Sequence, residues 1–374
     1  MIMSFWLHHS LSHWATRLIV GFILIVLAAA CWIFSSSTFD QPKPKAGIIL
    51  LGGINEEGWN APQYRGIRKA CNTMGINLLF RENVNTEGAC TKAVQEMADA
   101  GAGMIFLASF SYSQEAQKFV REYPHIAFGT NSAECHARNM TSYFVRMYQG
   151  RYLAGALAGM HTKSNVIGYV AAMKNSEVNR GINAFTLGVQ QTNPNARVVV
   201  MWTGSWQNES KEAEEARRLI TEAGADVLTY HQDEPAAADV AEELGIDYIG
   251  YYEDLGKHSW RSEHALTSVI CNWDRYYEDI IRRYLKGELN YVDKQWVGME
   301  ADFVELCEFS SAVTDDEKAK LIQLKERMLA GRFVFAGEIY DRQGQLRCRA
   351  DESIRDDRLL QHMDWLVKGV EILE

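Results

Sequence analysis

The alternation of short apolar runs with helix-like segments constrains the fold of this chain more than any other feature of its sequence. From residue 46 onward, the runs AGIILL, NLLF, GMIFLAS and IAFG each fit a buried strand. Between them, residues near 60–74, 87–100 and 112–122 have the apolar spacing of helices. Buried strands that alternate with helices are typical of a parallel sheet covered by helices. We therefore predict an α/β unit.

A second unit of the same kind follows, with the strand-like runs NVIGYVAA, ARVVVMW, ADVLTY, DYIGYY and ALTSVI. Before it, Gly150, Ala154 and Ala158 recur every four residues and predict a smooth-faced core helix. A chain of 374 residues is also more typical of two lobes than of one. We predict lobe I over 46–160 plus about 272–300, lobe II over 161–271 plus about 301–345, and a C-terminal helical segment over 346–374 with a helix near 355–371.

The first 34 residues have a different character, because an uncharged apolar run covers residues 18–34 just after Arg17. One interpretation is a signal sequence of the lipoprotein type. In this interpretation small residues precede Cys31, and Cys31 is the lipidated residue. The other is an uncleaved membrane anchor, slightly short for the roughly 20 residues of a full span. Residues 35–45, rich in Ser, Pro and Lys, read as a linker. Both interpretations place the rest of the chain outside the cytoplasm, in the periplasm or at the cell surface.

The charge and the cysteine spacing argue against two kinds of function, nucleic-acid binding and metal binding through cysteines. The formal net charge of −10 and the lack of a basic stripe argue against a nucleic-acid partner. The seven cysteines have no metal-site spacing. Apart from Cys31, six remain, which either pair in an exported protein or stay reduced and buried; we favour the reduced state.

In open α/β sheets, ligands bind at the carboxyl ends of the strands, so the loops there are the candidate sites. The first loop, LLGGINEEGWN, lacks a lysine and the GxGxxG spacing, and its two glutamates would repel a phosphate. Its informative end is Trp59, which can offer a flat face to a ligand. Asn60 after it is either a ligand-binding residue or the cap of the next helix.

The later loops offer further aromatic and polar groups. Trp206 follows the strand ARVVVM in the same way as Trp59 follows the first strand. Two such rings across a cleft would sandwich a planar ligand, although either of them could instead serve packing. Phe110 and Asn131 follow the third and fourth strands. Asp233 and Asp254 could accept N–H groups of a base, with helix capping and a solvated turn as the respective alternatives.

The sequence favours binding over catalysis. It contains no GxSxG, HExxH or Walker lysine. We therefore predict no enzyme activity, no cofactor and no metal.

An ordered series of segments resembles a known family. The series is GWNAPQYRGIRKAC, ENVNTEGA, YQGRYLAGALAG, NVIGYVAA, GINAFTLGVQQTNPNA, WTGSW, EAEEARRLITEAGADV and LTSVICNWDRYYEDII. Over roughly residues 46–340 it is similar to the basic membrane protein family, the purine nucleoside receptor-like substrate-binding proteins of ABC transporters. The resemblance implies a class I periplasmic-binding-protein fold, with two Rossmann-like lobes and a ligand cleft between them. It also implies a monomeric receptor that delivers a purine to an ABC permease.

The resemblance also assigns site residues. Trp59 and Asn60 match the family's aromatic–Asn pair, Trp206 matches its second aromatic, and Asn131 stands where many members have Asp. The family groups that engage ribose correspond here to Tyr252 and, at about the same place, Cys271, and only Asp254 is kept from that loop. The pattern therefore favours a free purine base such as adenine over a nucleoside. A membrane-anchored sensor that signals to a partner protein and, less favoured, a nucleoside-acting enzyme are the alternatives.

Overall fold

The computed structural model describes residues 44–55, 58–131, 137–254, 262–289 and 295–374, with the side chain of Ser113 excepted. The apolar N-terminal segment and Cys31 lie outside the described residues. Within the described ranges, no helix is both long and apolar enough to cross a membrane. Lys45–Glu374 forms one compact unit.

The first sheet follows the predicted alternation of strands and helices. Its elements in chain order are β1 (Lys45–Ile49), α1 (Asn60–Met74), β2 (Asn77–Arg81), α2 (Ala89–Asp99), β3 (Met104–Leu107), α3 (Ser113–Glu122), β4 (Ala127–Asn131) and β5 (Met140–Val145). A later strand, β11 (Gln295–Val297), joins its edge. The described strands run in the order β11-β5-β4-β3-β1-β2, and all their pairings are parallel. Sequence reasoning missed β5, which follows β4 after a short connection.

The second sheet repeats the arrangement. Its elements are α4 (Met147–His161), β6 (Val166–Ala171), α5 (Ser176–Thr192), β7 (Arg197–Trp202), α6 (Glu209–Thr221), β8 (Val227–His231), α7 (Ala236–Leu244), β9 (Asp247–Tyr251), β10 (Ala265–Cys271), α8 (Trp273–Leu285), β12 (Val304–Leu306), α9 (Asp315–Leu329) and β15 (Val370–Ile372), although α8 packs back on α1 of the first unit. The described strand order is β12-β10-β9-β8-β6-β7-β15. The β10–β12 pair is antiparallel, and the other pairs are parallel.

In the described part of the chain, the backbone passes between the two sheets at three places that lie side by side. The first crossing is at Arg146, whose N–H donates to the Val297 carbonyl of the third crossing at 2.7 Å. The second is at Asn272, whose N–H donates to the Phe303 carbonyl at 2.9 Å. Paired crossing segments of this kind leave the lobes joined along one side, so they can move about a common hinge.

The core helix α4 belongs with the second sheet, although the predicted boundary placed it in the first lobe. A Cβ on Gly155 would lie 1.9 Å from the Phe185 carbonyl oxygen of α5, so glycine permits this close helix crossing. Gly150 faces Val269 of β10 in the same way. Since α4 packs on the second sheet, the chain crosses from the first lobe to the second before Met147. The sequence could not reveal this, because α4 is apolar on nearly all its faces.

The C-terminal segment is less helical than the sequence suggested. It contains a hairpin of β13 (Ile339–Tyr340) and β14 (Leu346–Cys348), a short helix α10 (Asp356–Gln361) and the strand β15. The predicted helix near 355–371 stops at Gln361 because the backbone that follows is bound in extended form by α5. The Asn183 side chain accepts from the Val367 N–H at 2.8 Å and donates to the Trp365 carbonyl at 2.9 Å. Val370 then pairs with β7.

Candidate functional site

Both sheets contain the strand order 2-1-3-4-5, in which the direction of winding reverses beside the first strand. At that switch point the loops diverge and leave a crevice at the carboxyl ends of the strands. A cavity of about 260 Å³ lies where the crevices of the two sheets meet. It is lined by Trp59, Ser109, Phe110, Asn131, Glu177, Trp206, Asp233 and Tyr252.

Trp59 is held rigidly in the wall of this cavity. Its indole N–H donates to the Ala108 carbonyl at 2.7 Å, and its ring makes edge contacts with Tyr252 and Trp273 at 4.8 and 5.4 Å between centroids. Only 5% of the residue is exposed. The first loop therefore presents one fixed edge of an aromatic ring, and the same ring is part of the core.

Asp233 connects the two lobes through its backbone. Its carbonyl accepts from the Trp59 N–H at 3.3 Å, and its own N–H donates to the Trp206 carbonyl at 3.0 Å. A Cβ on Gly58, whose φ is +108°, would lie 1.8 Å from the Asp233 oxygen, so only glycine allows the loops to come this close. An ion pair of Arg65 with Glu253, at 2.8 Å, joins the lobes at a second place. The two lobes are therefore in contact around the cavity.

The Asp233 side chain has a different environment from its backbone. The residue is 6% exposed, and none of the described residues donates a hydrogen bond to its carboxylate. Burial, followed by the charges of Glu177 and Glu234, raises the pKa of Asp233 well above its usual range. A buried carboxylate without a donor is costly, so this group requires either a proton or an N–H donor from a bound molecule.

Three more residues that the sequence predicted for the site line the cavity: Trp206, Phe110 and Asn131. Trp206 is partly exposed and lies 5.9 Å from the ring of His231. Phe110 follows β3 in a short 3-10 turn and is 41% exposed, which is unusual for a large apolar side chain. Asn131 ends β4, and its amide nitrogen donates to the Tyr143 carbonyl at 3.4 Å. The cavity thus combines aromatic surface with an amide and carboxylates.

Tyr252 closes the cavity next to a buried histidine. Its hydroxyl lies 3.2 Å from Nε2 of His231, and Glu177 lies 4.0 Å from the same nitrogen. Burial, with Arg151 and Arg180 nearby, lowers the pKa of His231 well below its usual value, so the imidazole is neutral at physiological pH. The Tyr252 hydroxyl also stays protonated, because burial raises its pKa.

Two predicted site residues lie elsewhere. Asn60 is the first residue of α1, and its buried side chain makes no cap hydrogen bond and does not line the cavity. Its proposed role as a helix cap is therefore wrong, since the cap position falls on Trp59. Asp254 lines a separate, larger groove beyond Tyr252. Cys31 lies outside the described residues.

Sequence reasoning missed Glu177 and did not select Ser109. Glu177 stands in the first turn of α5, directly after the loop that ends β6. The rule that led to Trp59 and Asp233 also applies to this loop, because β6 is the strand beside the second switch point. The signal was therefore present in the sequence, but that loop was passed over.

The described cysteines are buried and form no disulfide, as favoured from the sequence; they are Cys71, Cys90, Cys271, Cys307 and Cys348. Burial raises the pKa of Cys71 to about 11, so this thiol is unreactive at neutral pH. No cluster of described side chains has the composition of a metal site.

Comparison with known proteins agrees with this architecture. A family model described as ABC transporter substrate-binding protein PnrA-like, named Bmp, matches residues 43–335. The purine-binding protein BAB2_0673 of Brucella abortus is 30% identical over 93% of this chain and 99% of its own length. A putative ABC transporter glucose-binding protein, TsgA13 of Haloferax volcanii, is 32% identical over 75% of this chain and 68% of its own length.

The fold is shared with solved structures. A transcriptional activator of the comK gene from Bacillus halodurans superposes with a TM-score of 0.67 at 21% identity, over 77% of this chain and 98% of the other. Its likeness concerns the fold alone. The two mainly parallel sheets, their shared crossings and these neighbours define a class I periplasmic-binding-protein fold. Taken with the family match over most of its length, they show that this chain belongs to the Bmp family of PnrA-like ABC transporter substrate-binding proteins.

Proposed function

We propose that this protein binds a free purine base, such as adenine, in the cavity between its lobes and delivers it to the permease of an ABC importer. The observation that carries the proposal is the buried Asp233 carboxylate, which has no donor among the described residues and faces a cavity with four aromatic residues in its wall. A purine base has N–H groups for the carboxylate and a flat ring for the aromatic surface.

The cavity size supports a small ligand. The space between its lining residues, about 260 Å³ including the part open to solvent, leaves room for a small molecule only. Stacking on Trp206 and Phe110 would supply affinity, at about 0.5–1.5 kcal/mol for each ring pair beyond its buried area. Asp233 and Asn131 would select the base, because a ligand with the wrong polar pattern leaves these groups buried and unpaired. The name of the Brucella relative, a purine-binding protein, agrees with this proposal.

The test identifies the ligand in two ways. Full-length protein is purified without added ligand, denatured, and the released small molecules are identified by mass spectrometry. The ligand-free protein is then titrated by calorimetry with adenine, guanine, their nucleosides, riboflavin and glucose. Heat with a purine supports the proposal. Heat with glucose alone, or with none of the purines, refutes it.

The N-terminus decides how the receptor reaches its permease. We propose an extracytoplasmic receptor held at the membrane either by a lipid on Cys31 or by the uncleaved apolar segment of residues 18–34. The intact mass of protein from membranes distinguishes them. A lipidated Cys31 at the N-terminus indicates a transport lipoprotein. A retained residue 1 supports the alternative in which the bound ligand signals to a partner protein.

A further inference from the structure

Tyr252 has a backbone conformation that its side chain does not favour. Its φ is +71°, in the left-handed region, where a bulky residue is a genuine outlier. Such conformations persist only when the surroundings enforce them, and they cluster at functional sites. Here the N–H of Tyr252 donates to the Val269 carbonyl at 2.9 Å, and the hydroxyl is held by His231 at 3.2 Å. The ring is fixed from both its backbone and its tip.

The enforced turn places the ring between two spaces. On one side is the cavity described above, of about 260 Å³ including the part open to solvent. On the other is a groove of about 720 Å³ that opens to solvent. Tyr252 is the one residue that lines both in the described part of the chain. Its ring packs against Trp59 and Tyr251 at centroid distances of 4.8 and 3.7 Å, so it cannot swing aside without disturbing both.

The groove has the chemistry to hold a hydroxylated substituent. Its wall includes Glu253, Asp254, Asn272 and Asp274, whose oxygens accept hydrogen bonds, and the cations Arg65 and Lys69. Some of these groups already pair, since Arg65 binds Glu253 and Lys69 binds Asp274 at 2.5 Å. Tyr252, which lines both the cavity and the groove, stands between a base in the cavity and these groups.

We propose that Tyr252 is the specificity-determining residue that closes the base cavity against the groove, so that the receptor accepts a free purine and rejects its nucleoside. This inference rests on the proposed purine function and adds the residue that sets the ligand's size. The block is steric. The Tyr252 ring makes the same contacts with the base of a nucleoside as with a free base, but it occupies the space that the sugar would need.

The test compares three proteins: wild type, Tyr252→Gly and Tyr252→Phe. Glycine removes the ring and adopts positive φ without strain, so the backbone path is kept while the two spaces are joined. Phenylalanine keeps the ring and loses only the hydroxyl, with its contacts to His231 and Tyr251. Each protein is titrated by calorimetry with adenine and adenosine and with guanine and guanosine. The quantity compared is the ratio of nucleoside Kd to base Kd within each protein.

We expect the wild type and Tyr252→Phe to bind the base and reject the nucleoside, and Tyr252→Gly to lower the ratio by about tenfold or more. Using the ratio cancels any general loss of affinity caused by the variant. Circular dichroism melting checks that each protein is folded. Should Tyr252→Gly fail to fold, Tyr252→Ala opens the same wall, and the wild-type ratio is informative without any variant.

Two results overturn the inference while leaving the purine function intact. One is a wild type that binds nucleoside as tightly as base. The other is a folded Tyr252→Gly that binds the base but still rejects the nucleoside. A wild type that binds no purine at all overturns the proposed function, and this inference with it.

Discussion

Replacing Asp233 with asparagine tests whether the carboxylate of this residue binds the ligand or stabilises the fold. The change removes the charge and keeps the size of the side chain. It does not touch the backbone groups of Asp233 that hold Trp59 and Trp206, so the contact between the lobes is preserved. Because none of the described residues donates to the carboxylate, the change removes no hydrogen bond among them.

The expected magnitudes follow from this environment. A hydrogen bond to a charged group contributes about 1.5–3 kcal/mol, so base affinity should fall roughly 10- to 150-fold. The stability of the ligand-free protein should change in the opposite direction. Relief of a buried unpaired carboxylate should raise the free energy of unfolding at pH 7 by about 1–3 kcal/mol. A variant that is more stable and binds more weakly is the signature of a ligand-binding group.

The pH dependence has a defined sign. Burial raises the folded pKa of Asp233 above that of the unfolded chain, about 3.9. The wild-type penalty is therefore absent below the unfolded pKa and grows as the pH rises toward the folded pKa. The stability advantage of Asp233→Asn should thus be small near pH 4 and larger at pH 7. Denaturant unfolding of the ligand-free proteins at both pH values measures it.

The matched control is Asp254→Asn, since the sequence predicted both aspartates for the site and the structure places Asp254 in the groove beyond Tyr252. Base affinity of this control should equal that of the wild type. The reasoning is refuted if Asp233→Asn binds the base as tightly as the wild type, or if both variants lose affinity equally.

Three further outcomes are expected. Trp206→Ala should weaken base binding by about 0.5–1.5 kcal/mol for the lost stacking, and further for the lost buried area. The melting temperature should change little, because Trp206 is partly exposed. An unchanged affinity in calorimetry would make Trp206 a packing residue. Gly155→Ala should lower the free energy of unfolding by about 1–3 kcal/mol, measured in denaturant, since its Cβ would meet the Phe185 carbonyl. An unchanged free energy of unfolding would contradict this. A hydrogen bond to Asp247 raises the pKa of His161. The stability that His161→Gln removes should therefore be fully present below about pH 6.5 and be lost as the pH rises through the folded pKa of His161. A loss of stability that is the same at pH 6 and pH 9 would contradict this.

The candidate site was largely predictable because parallel strands bring all their carboxyl ends to one edge. Trp59, Phe110, Asn131, Trp206 and Asp233 each follow a different strand, so the regular alternation was sufficient to place them near one another. Their common cavity then follows from the switch points of the two sheets. Whether they bind a ligand together remains the proposal that the titrations test.

The failures have local physical causes. Asn60 and Asp254 are within two residues of cavity residues, yet the backbone turns each of them away. The start of α1 directs Asn60 into the core, and the left-handed turn at Tyr252 carries Asp254 into the neighbouring groove. A single φ angle of this kind is set by surrounding contacts, such as those of His231 and Val269, which are far away in the sequence.

The sequence by itself determined the α/β class, the two repeating units, the family and most of the loops that line the cavity, because these depend on periodicity and on short segments. The tertiary structure decided which sheet the core helix joins, how the C-terminal segment extends along α5 and β7, and where Tyr252 stands between the cavity and the groove. These features depend on contacts between distant residues, where a single close approach, as at Gly58 or Gly155, fixes the arrangement.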